Sequence, residues 1–381
     1  MAKKKTGHYS GIGGQAVLEG VMMKNKDKYA VAVRKPNGEI TVDIETYREM
    51  AGGVNKIPFV RGIFNFVDSL KLGTKALNFS ADFYEEEEEQ ETKFDRFLNK
   101  VTGGKAEQVI TTFVMILSLV LAVGIFIVLP YFITSFFKEY VRSAILMNII
   151  EGAIRIVIFL LYVVAITAMK DIRRLYKYHG AEHKCINCIE RGKPLTVRNA
   201  MNSSRLHKRC GTSFMFFVMF VSIILFFFIQ VQNPVLKVVL RILLIPVIAG
   251  ISYEIIRLAG RSNNIFVRIL SAPGMLIQRL TTKEPDKDMI EVAIASVEAV
   301  YDWKQFLIDE FDYSPSDFSD DVSEADSEDE EADSDESKPD FEDSKFDLEE
   351  SELDSEDDKS ADSYYFDEEE EEIFPMGDKK L

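Results

Sequence analysis

Four long apolar runs set the pattern of this chain, at residues 109–137, 145–169, 212–231 and 235–258. Each reaches about 20 residues, enough for a helix rising about 1.5 Å per residue to cross roughly 30 Å of hydrocarbon. A soluble core helix of that length carries a polar stripe, which these runs mostly lack. The pattern therefore predicts four transmembrane helices.

The flanks read differently. Residues 29–34 alternate apolar and polar, Lys35-Pro36-Asn37-Gly38 is a turn signal, and residues 39–44 alternate again, which predicts a β-hairpin. The stretch before it is rich in glycine but holds no G-x-G-x-x-G and no P-loop lysine, so it does not support nucleotide binding. Its glycines read as tight turns leading into a strand, with the alternative that Gln15 and Glu19 face a site elsewhere in the chain. From Pro58, the residues Phe59, Val60, Ile63, Phe64, Val67 and Leu70 give a broad apolar helical face, too short to span and interrupted by Arg61 and Asp68. Residues 265–280 read as interfacial helices broken at Pro273-Gly274, and Thr281 with Glu284 as a capping box for a helix carrying Met289, Ile290, Val297 and Val300.

The expected fold is a mainly α-helical polytopic membrane protein with four transmembrane helices, a small N-terminal cytoplasmic β-containing element and a disordered acidic C-terminal tail. The expected boundaries are 1–108 for the N-terminal region with hairpin and amphipathic helix, 109–169 for the first two spans and 170–211 for a cytoplasmic His/Cys loop. Spans three and four fall at 212–258, interfacial and amphipathic helices at 259–308, and the tail at 309–381.

Charge sharpens this division. The formal net charge is −17, yet residues 311–381 hold 32 Asp plus Glu against 5 Lys, a net of −27, which leaves residues 1–310 with 40 basic and 30 acidic groups, a net of +10. Like charges at that density repel and bury no core, so the tail reads as disordered, with a basic protein as its natural partner. Residues 170–209 carry eleven Lys plus Arg against Asp171, Glu182 and Glu190, whereas the loops at 138–143 and 232–234 are short and carry a net charge of only about +1 between them, from Lys138, Glu139 and Arg142. The positive-inside rule then places the basic segment, both termini and the tail on the cytoplasmic side of a cytoplasmic (inner) membrane, with no signal peptide ahead of them. Topology and anionic lipid explain the basic residues before nucleic acid does. Oligomeric state is not legible.

Within the runs, Glu151 and Arg155 are spaced to pair on one helix face near the outer interface, where the arginine can snorkel. Glu254 is expected to pair with Arg257, or else to reach the site as a further oxygen ligand. A transport path along Glu151, Arg155, Arg241 and Glu254 is a weaker reading, because no internal repeat supports it.

Candidate chemistry is concentrated in residues 179–210, which contain three of the four histidines and all three cysteines. Two patterns overlap there. His179, Glu182 and His183 form H-x-x-E-H; on a helix they share one face, so the histidines can grip one cation beside a carboxylate that acts as general base in metallopeptidases of this pattern. Cys185-x-x-Cys188 followed by His207-x-x-Cys210 has instead the spacing of a closed, two-knuckle structural zinc site. Six candidate ligands exceed one tetrahedral zinc, and spacing alone does not choose among them.

The blocks Gly13-Gly14-Gln15-Ala16-Val17-Leu18-Glu19-Gly20, Tyr178-His179-Gly180-Ala181-Glu182-His183-Lys184 and His207-Lys208-Arg209-Cys210-Gly211-Thr212 resemble a bacterial membrane family of unassigned reaction. It is the YqhQ-like domain of unknown function, usually described as a metal-dependent enzyme. The resemblance covers roughly residues 8–300. It implies a mixed site in which His179, Glu182, His183, Cys188, His207 and Cys210 match family positions and Cys185 does not.

Two functions follow as expectations. In the first, zinc bound by His179, His183, Cys188, His207 and Cys210 serves a hydrolase with Glu182 as general base, provided that one ligand withdraws to leave the metal an open position. In the second, the zinc is structural and the protein is a membrane scaffold or assembly factor.

Overall fold

The computed structural model describes residues 8–47, 57–84, 106–229, 231, 233–261 and 265–318. The expected disordered tail therefore lies, from residue 319 on, outside the described residues. Four antiparallel strands form a meander in the order β1 Gly13–Val17, β2 Gly20–Asn25, β3 Lys28–Arg34 and β4 Ile40–Thr46. The hairpin read from alternation is β3 with β4, Arg34 standing opposite Ile40. The glycine-rich stretch supplies two further strands, joined by a turn in which Glu19 takes φ 49°. Gly20 opens β2 because a Cβ there would stand 2.3 Å from the Ala32 carbonyl oxygen.

The helices are α1 Val60–Ala81, α2 Ala106–Val123, α3 Leu129–Ser135, α4 Ala144–Thr167, α5 Lys170–Glu190, α6 Val197–Met201, α7 Gly211–Phe227, α8 Pro234–Leu243, α9 Ile245–Arg261, α10 Ile265–Thr281, α11 Lys287–Val300 and α12 Trp303–Phe311. The sheet is covered on both faces, so alternation along β2 and β3 sorts residues between two cores. Val17, Met22, Tyr29, Val31 and Val33 pack with Leu72 and Ala76 of α1. Val21, Met23, Ala30 and Ala32 pack with Tyr178, Ala181 and Cys185 of α5 and with Met289 and Val292 of α11.

Helix α1 is longer than its apolar face suggested, because its second half covers the sheet while its first half crosses α9. At that crossing a Cβ on Gly62 would lie 3.0 Å from Gly250 Cα. Arg61 also forks onto Glu254, Nε donating to Oε1 at 2.7 Å. The partner of Glu254 is thus Arg61 rather than Arg257, because α1 brings a guanidinium across the interface.

Among the described residues, two helices are long and apolar enough to cross a membrane. One is Thr112–Ser135, where a π-helical segment at Gly124–Val128 joins α2 to α3; the other is Ile145–Thr167 in α4. Helices α8 and α9 make a third if the pair, bent by 41°, counts as one span. Pro246 lies in the first turn of α9, where its missing N–H is best tolerated. The remaining predicted span is α7, apolar but only 17 residues long. Two to three of the four predicted spans are thus candidates among the described residues. Phe113, Met115 and Leu119 of α2 are largely exposed, an apolar surface suited to lipid.

Other expectations are corrected. Residues 265–281 form one helix with Pro273 inside it, not two. Thr281 ends α10, and the next helix begins at Lys287 after Asp286, so the capping box does not form. Order continues past residue 308: Asp302 caps α12 by accepting from the Gln305 N–H, Phe311 is buried, and the Tyr313 hydroxyl donates to the Gly192 carbonyl.

Candidate metal centre

The H-x-x-E-H stretch lies on a helix, as its spacing required: α5 carries His179, Glu182 and His183 on one face. This helix is not a straight continuation of span α4. Met169 between them takes extended backbone, ψ 133°, so the chain changes direction before α5 starts. The expected loop at 170–211 is thus mostly α5, followed by the short α6 and the segment leading to α7.

Cys210 completes the group as the N-cap of α7, its sulfur accepting from the Thr212 N–H at 3.4 Å. One ligand atom each from His179, His183 and Cys210 lies within 4.8 Å of the others. His179 Nδ1 bonds the Thr281 carbonyl at 2.9 Å and His183 Nδ1 the Arg205 carbonyl at 2.6 Å. A carbonyl only accepts, so both Nδ1 atoms carry hydrogen and Nε2 is left to face the cluster. Metal-binding histidines are commonly oriented in this way. His179 Nε2 lies 3.1 Å from Cys210 Sγ.

Glu182 is 4% exposed beside them. It accepts from the Gly14 N–H of β1, where a Cβ would stand 3.0 Å from the Glu182 carboxyl carbon, and its Oε2 has no partner. Burial raises its pKa against the lowering pull of the two histidines. Burial also opposes charge on His179 and Cys210, but each offsets that penalty for the other. The Cys210 thiol is held well below its ordinary range by the two histidines, and His179 is pushed up to about 9 by Cys210. Each group therefore favours the charged form of the other, an imidazolium–thiolate pair, and the helix N-terminus adds to the preference for thiolate. Two imidazoles and a thiolate are donor types that could hold a metal ion, and a buried carboxylate oxygen without a partner stands beside them.

The other predicted ligands point elsewhere. Cys188 lies five residues past His183, about 140° around the helix, and its sulfur is turned to the Lys193 and Pro194 carbonyls. Cys185 is buried in the core shared with the sheet. The two-knuckle arrangement does not form, because both cysteines belong to a continuing helix. The His207 ring lies 5.5 Å from that of His183, but its Nε2 faces Glu190 Oε2 at 3.5 Å. Gln15 packs against Gly73 of α1, and Glu19 pairs with Arg174 and the Tyr178 hydroxyl, so neither side chain joins the trio.

Two residues that spacing did not single out hold the site together. Gln278 of α10 accepts from the His207 N–H at 2.9 Å and donates to the His207 carbonyl and Ser213 Oγ, each at 2.7 Å, fixing the segment that delivers Cys210. Glu190 accepts from Ser10 N–H and Oγ and from Arg209 while facing His207. The available signals were a single amide on an apolar helix and a carboxylate in a strongly basic segment.

The family model described as "Protein of unknown function (DUF1385)" matches residues 57–303, a range that includes the trio. Over 287 residues the chain is 34% identical to "Uncharacterized protein YqhQ" of Bacillus subtilis (strain 168), an alignment covering 74% of this chain and 90% of that relative. No solved structure matches it.

Proposed function

The chain belongs to the DUF1385 family, and we propose that it is a zinc-dependent membrane hydrolase with His179, His183 and Cys210 as ligands and Glu182 as general base. The observation that carries this reading is three donor atoms within 4.8 Å of one another beside a buried carboxylate oxygen with no partner. Three protein ligands are the catalytic pattern, whereas four are the closed structural one. With His207 and Cys188 engaged elsewhere, the ligand set leaves the open position that a five-residue set would deny. When bound, zinc supplies a Lewis acid that polarises an electrophile and acidifies water. Glu182, its pKa raised by burial, takes a proton from the nucleophile and returns it to the leaving group. Helix α5 starts three residues after α4 ends, which supports a membrane-proximal substrate, and the basic charge of 170–209 supports a cytoplasmic face.

The test is metal content of the detergent-purified full chain, free of chelator. About one zinc per chain is expected in wild type and in Cys188→Ala, with loss in His183→Ala and Cys210→Ala. Glu182→Gln should keep the metal and fail to complement a deletion strain. A wild type without metal, or Cys188→Ala as depleted as Cys210→Ala, overturns the ligand set.

A structural zinc is the second reading, favoured by burial, since His183 is 1% and Cys210 5% exposed. Full complementation by a zinc-loaded Glu182→Gln protein would select it.

A further inference from the structure

A second group of charges sits among the apolar helices. Arg155 and Glu151 lie one turn apart on α4, Arg155 Nη2 donating to Glu151 Oε1 at 2.9 Å. Arg241 Nη2 of α8 reaches the same oxygen at 2.5 Å, and Lys237 Nζ stands 3.6 Å from Oε2. Three cations thus share one carboxylate. Arg241 is 1% exposed and Glu151 and Arg155 are 5% each, so Arg155 does not snorkel to an interface as its position suggested.

Holding excess positive charge away from water is costly in low-dielectric surroundings. The Phe226 ring offsets part of the cost, with the guanidinium carbons of Arg155 and Arg241 at 4.9 and 5.0 Å from its centroid. Hydrogen bonding remains incomplete: Arg241 Nε and Nη1 and Arg155 Nε are buried without an acceptor. Two guanidinium groups with unfilled N–H positions and an ammonium beside them match the charge and acceptors of a phosphate.

The neighbourhood narrows the source of that phosphate. Glu151 and Arg241 each lie seven residues past the first residue of their helix, so the cluster stands about 10 Å from the helix starts. A lipid headgroup at that end of the helices can be drawn in from the side. A cavity of about 270 Å³ begins one turn away, lined by Asn148, Ile149, Ile223, Ile224, Phe227 and Phe228. Apart from Asn148 that lining is aliphatic and aromatic, which suits a hydrocarbon chain, and it holds no cation for a free anion.

We propose that Arg155, Lys237 and Arg241 form an anion site for the phosphate of a lipid headgroup, whose chain lies along the adjoining cavity. The test titrates the full chain in detergent with dihexanoyl phosphatidic acid and, separately, with inorganic phosphate, following binding by calorimetry. The lipid is expected to bind at least tenfold more tightly than inorganic phosphate, and Arg241→Gln to weaken it tenfold or more. Because Arg241→Gln can also disturb folding, Lys237→Gln provides a second reading at the partly open edge, with a several-fold loss at unchanged melting temperature. Glu151→Gln removes the competing carboxylate and should tighten binding. Equal affinity for inorganic phosphate overturns the headgroup as source. No binding of either probe, or binding indifferent to Arg241→Gln and Lys237→Gln, overturns the site.

Discussion

His179 Nε2 and Cys210 Sγ approach to 3.1 Å, although one lies midway along α5 and the other caps the start of α7. Their contact makes one centre out of two sequence blocks. It also gives the three cysteines separable chemistry.

That separation predicts selective alkylation. Burial pushes Cys188 up to about 11 and Cys185 well above its ordinary value, while the two histidines hold Cys210 far below it. In metal-stripped protein at pH 6.5, iodoacetamide followed by peptide mass spectrometry should modify Cys210 alone, and added zinc should protect it. Equal labelling of all three thiols in folded protein would contradict the imidazolium–thiolate pair.

Glu190 predicts an acid-sensitive contribution to stability. Burial disfavours its charge, but the hydrogen bond with His207, the Arg209 charge and the Ser10 N–H prevail and bring its pKa from 4.5 to about 2. A depressed folded value means stability that is fully present above about pH 4.5 and is lost as pH falls toward 2, up to about 3 kcal/mol. Chemical unfolding followed by emission of Trp303, the chain's single tryptophan, should show this acid slope in wild type and a weaker one in Glu190→Gln.

Gln278→Ala leaves the His207 N–H and carbonyl buried without their partner, a loss of about 2 kcal/mol. Because the same contacts orient the Cys210 segment, zinc affinity should fall roughly tenfold or more. A competition titration against a fluorescent chelator measures it; unchanged affinity would show that Cys210 is positioned without the amide.

Phe311→Ala tests the order beyond residue 308. Its ring is 2% exposed and stands where a Cβ on Gly192 would come within 2.4 Å. Gly192 has φ +72° and leaves room for the ring. Truncation should lower stability by about 3 kcal/mol, again read from Trp303. A neutral result would mean that α12 does not contribute to the main core.

What could be read from sequence was local. The H-x-x-E-H face and the β3–β4 hairpin depend on periods of 3.6 and 2, which are visible within a few residues. Cys188 joins Cys210 in the expected ligand set through C-x-x-C spacing and the family resemblance, and only the helical path of α5 shows its sulfur turned away. Gln278, Glu190 and the Arg61–Glu254 pair depend on contacts between distant segments, which spacing does not encode. Of the four apolar runs, two form helices long enough to span; α7 is a little short, and the last run bends at the junction of α8 and α9.

Two of the backbone groups that hold the centre set an order of manufacture. Gly14, whose N–H meets Glu182, precedes both long apolar helices, and Thr281, whose carbonyl fixes His179, is the last residue of α10. A growing chain can present the histidines of α5 well before Thr281 exists, but until then the Thr281 carbonyl that orients His179 is missing. A metal held by His179 and Cys210 would therefore be secured only after residue 281 has been made and the apolar helices before it are in place.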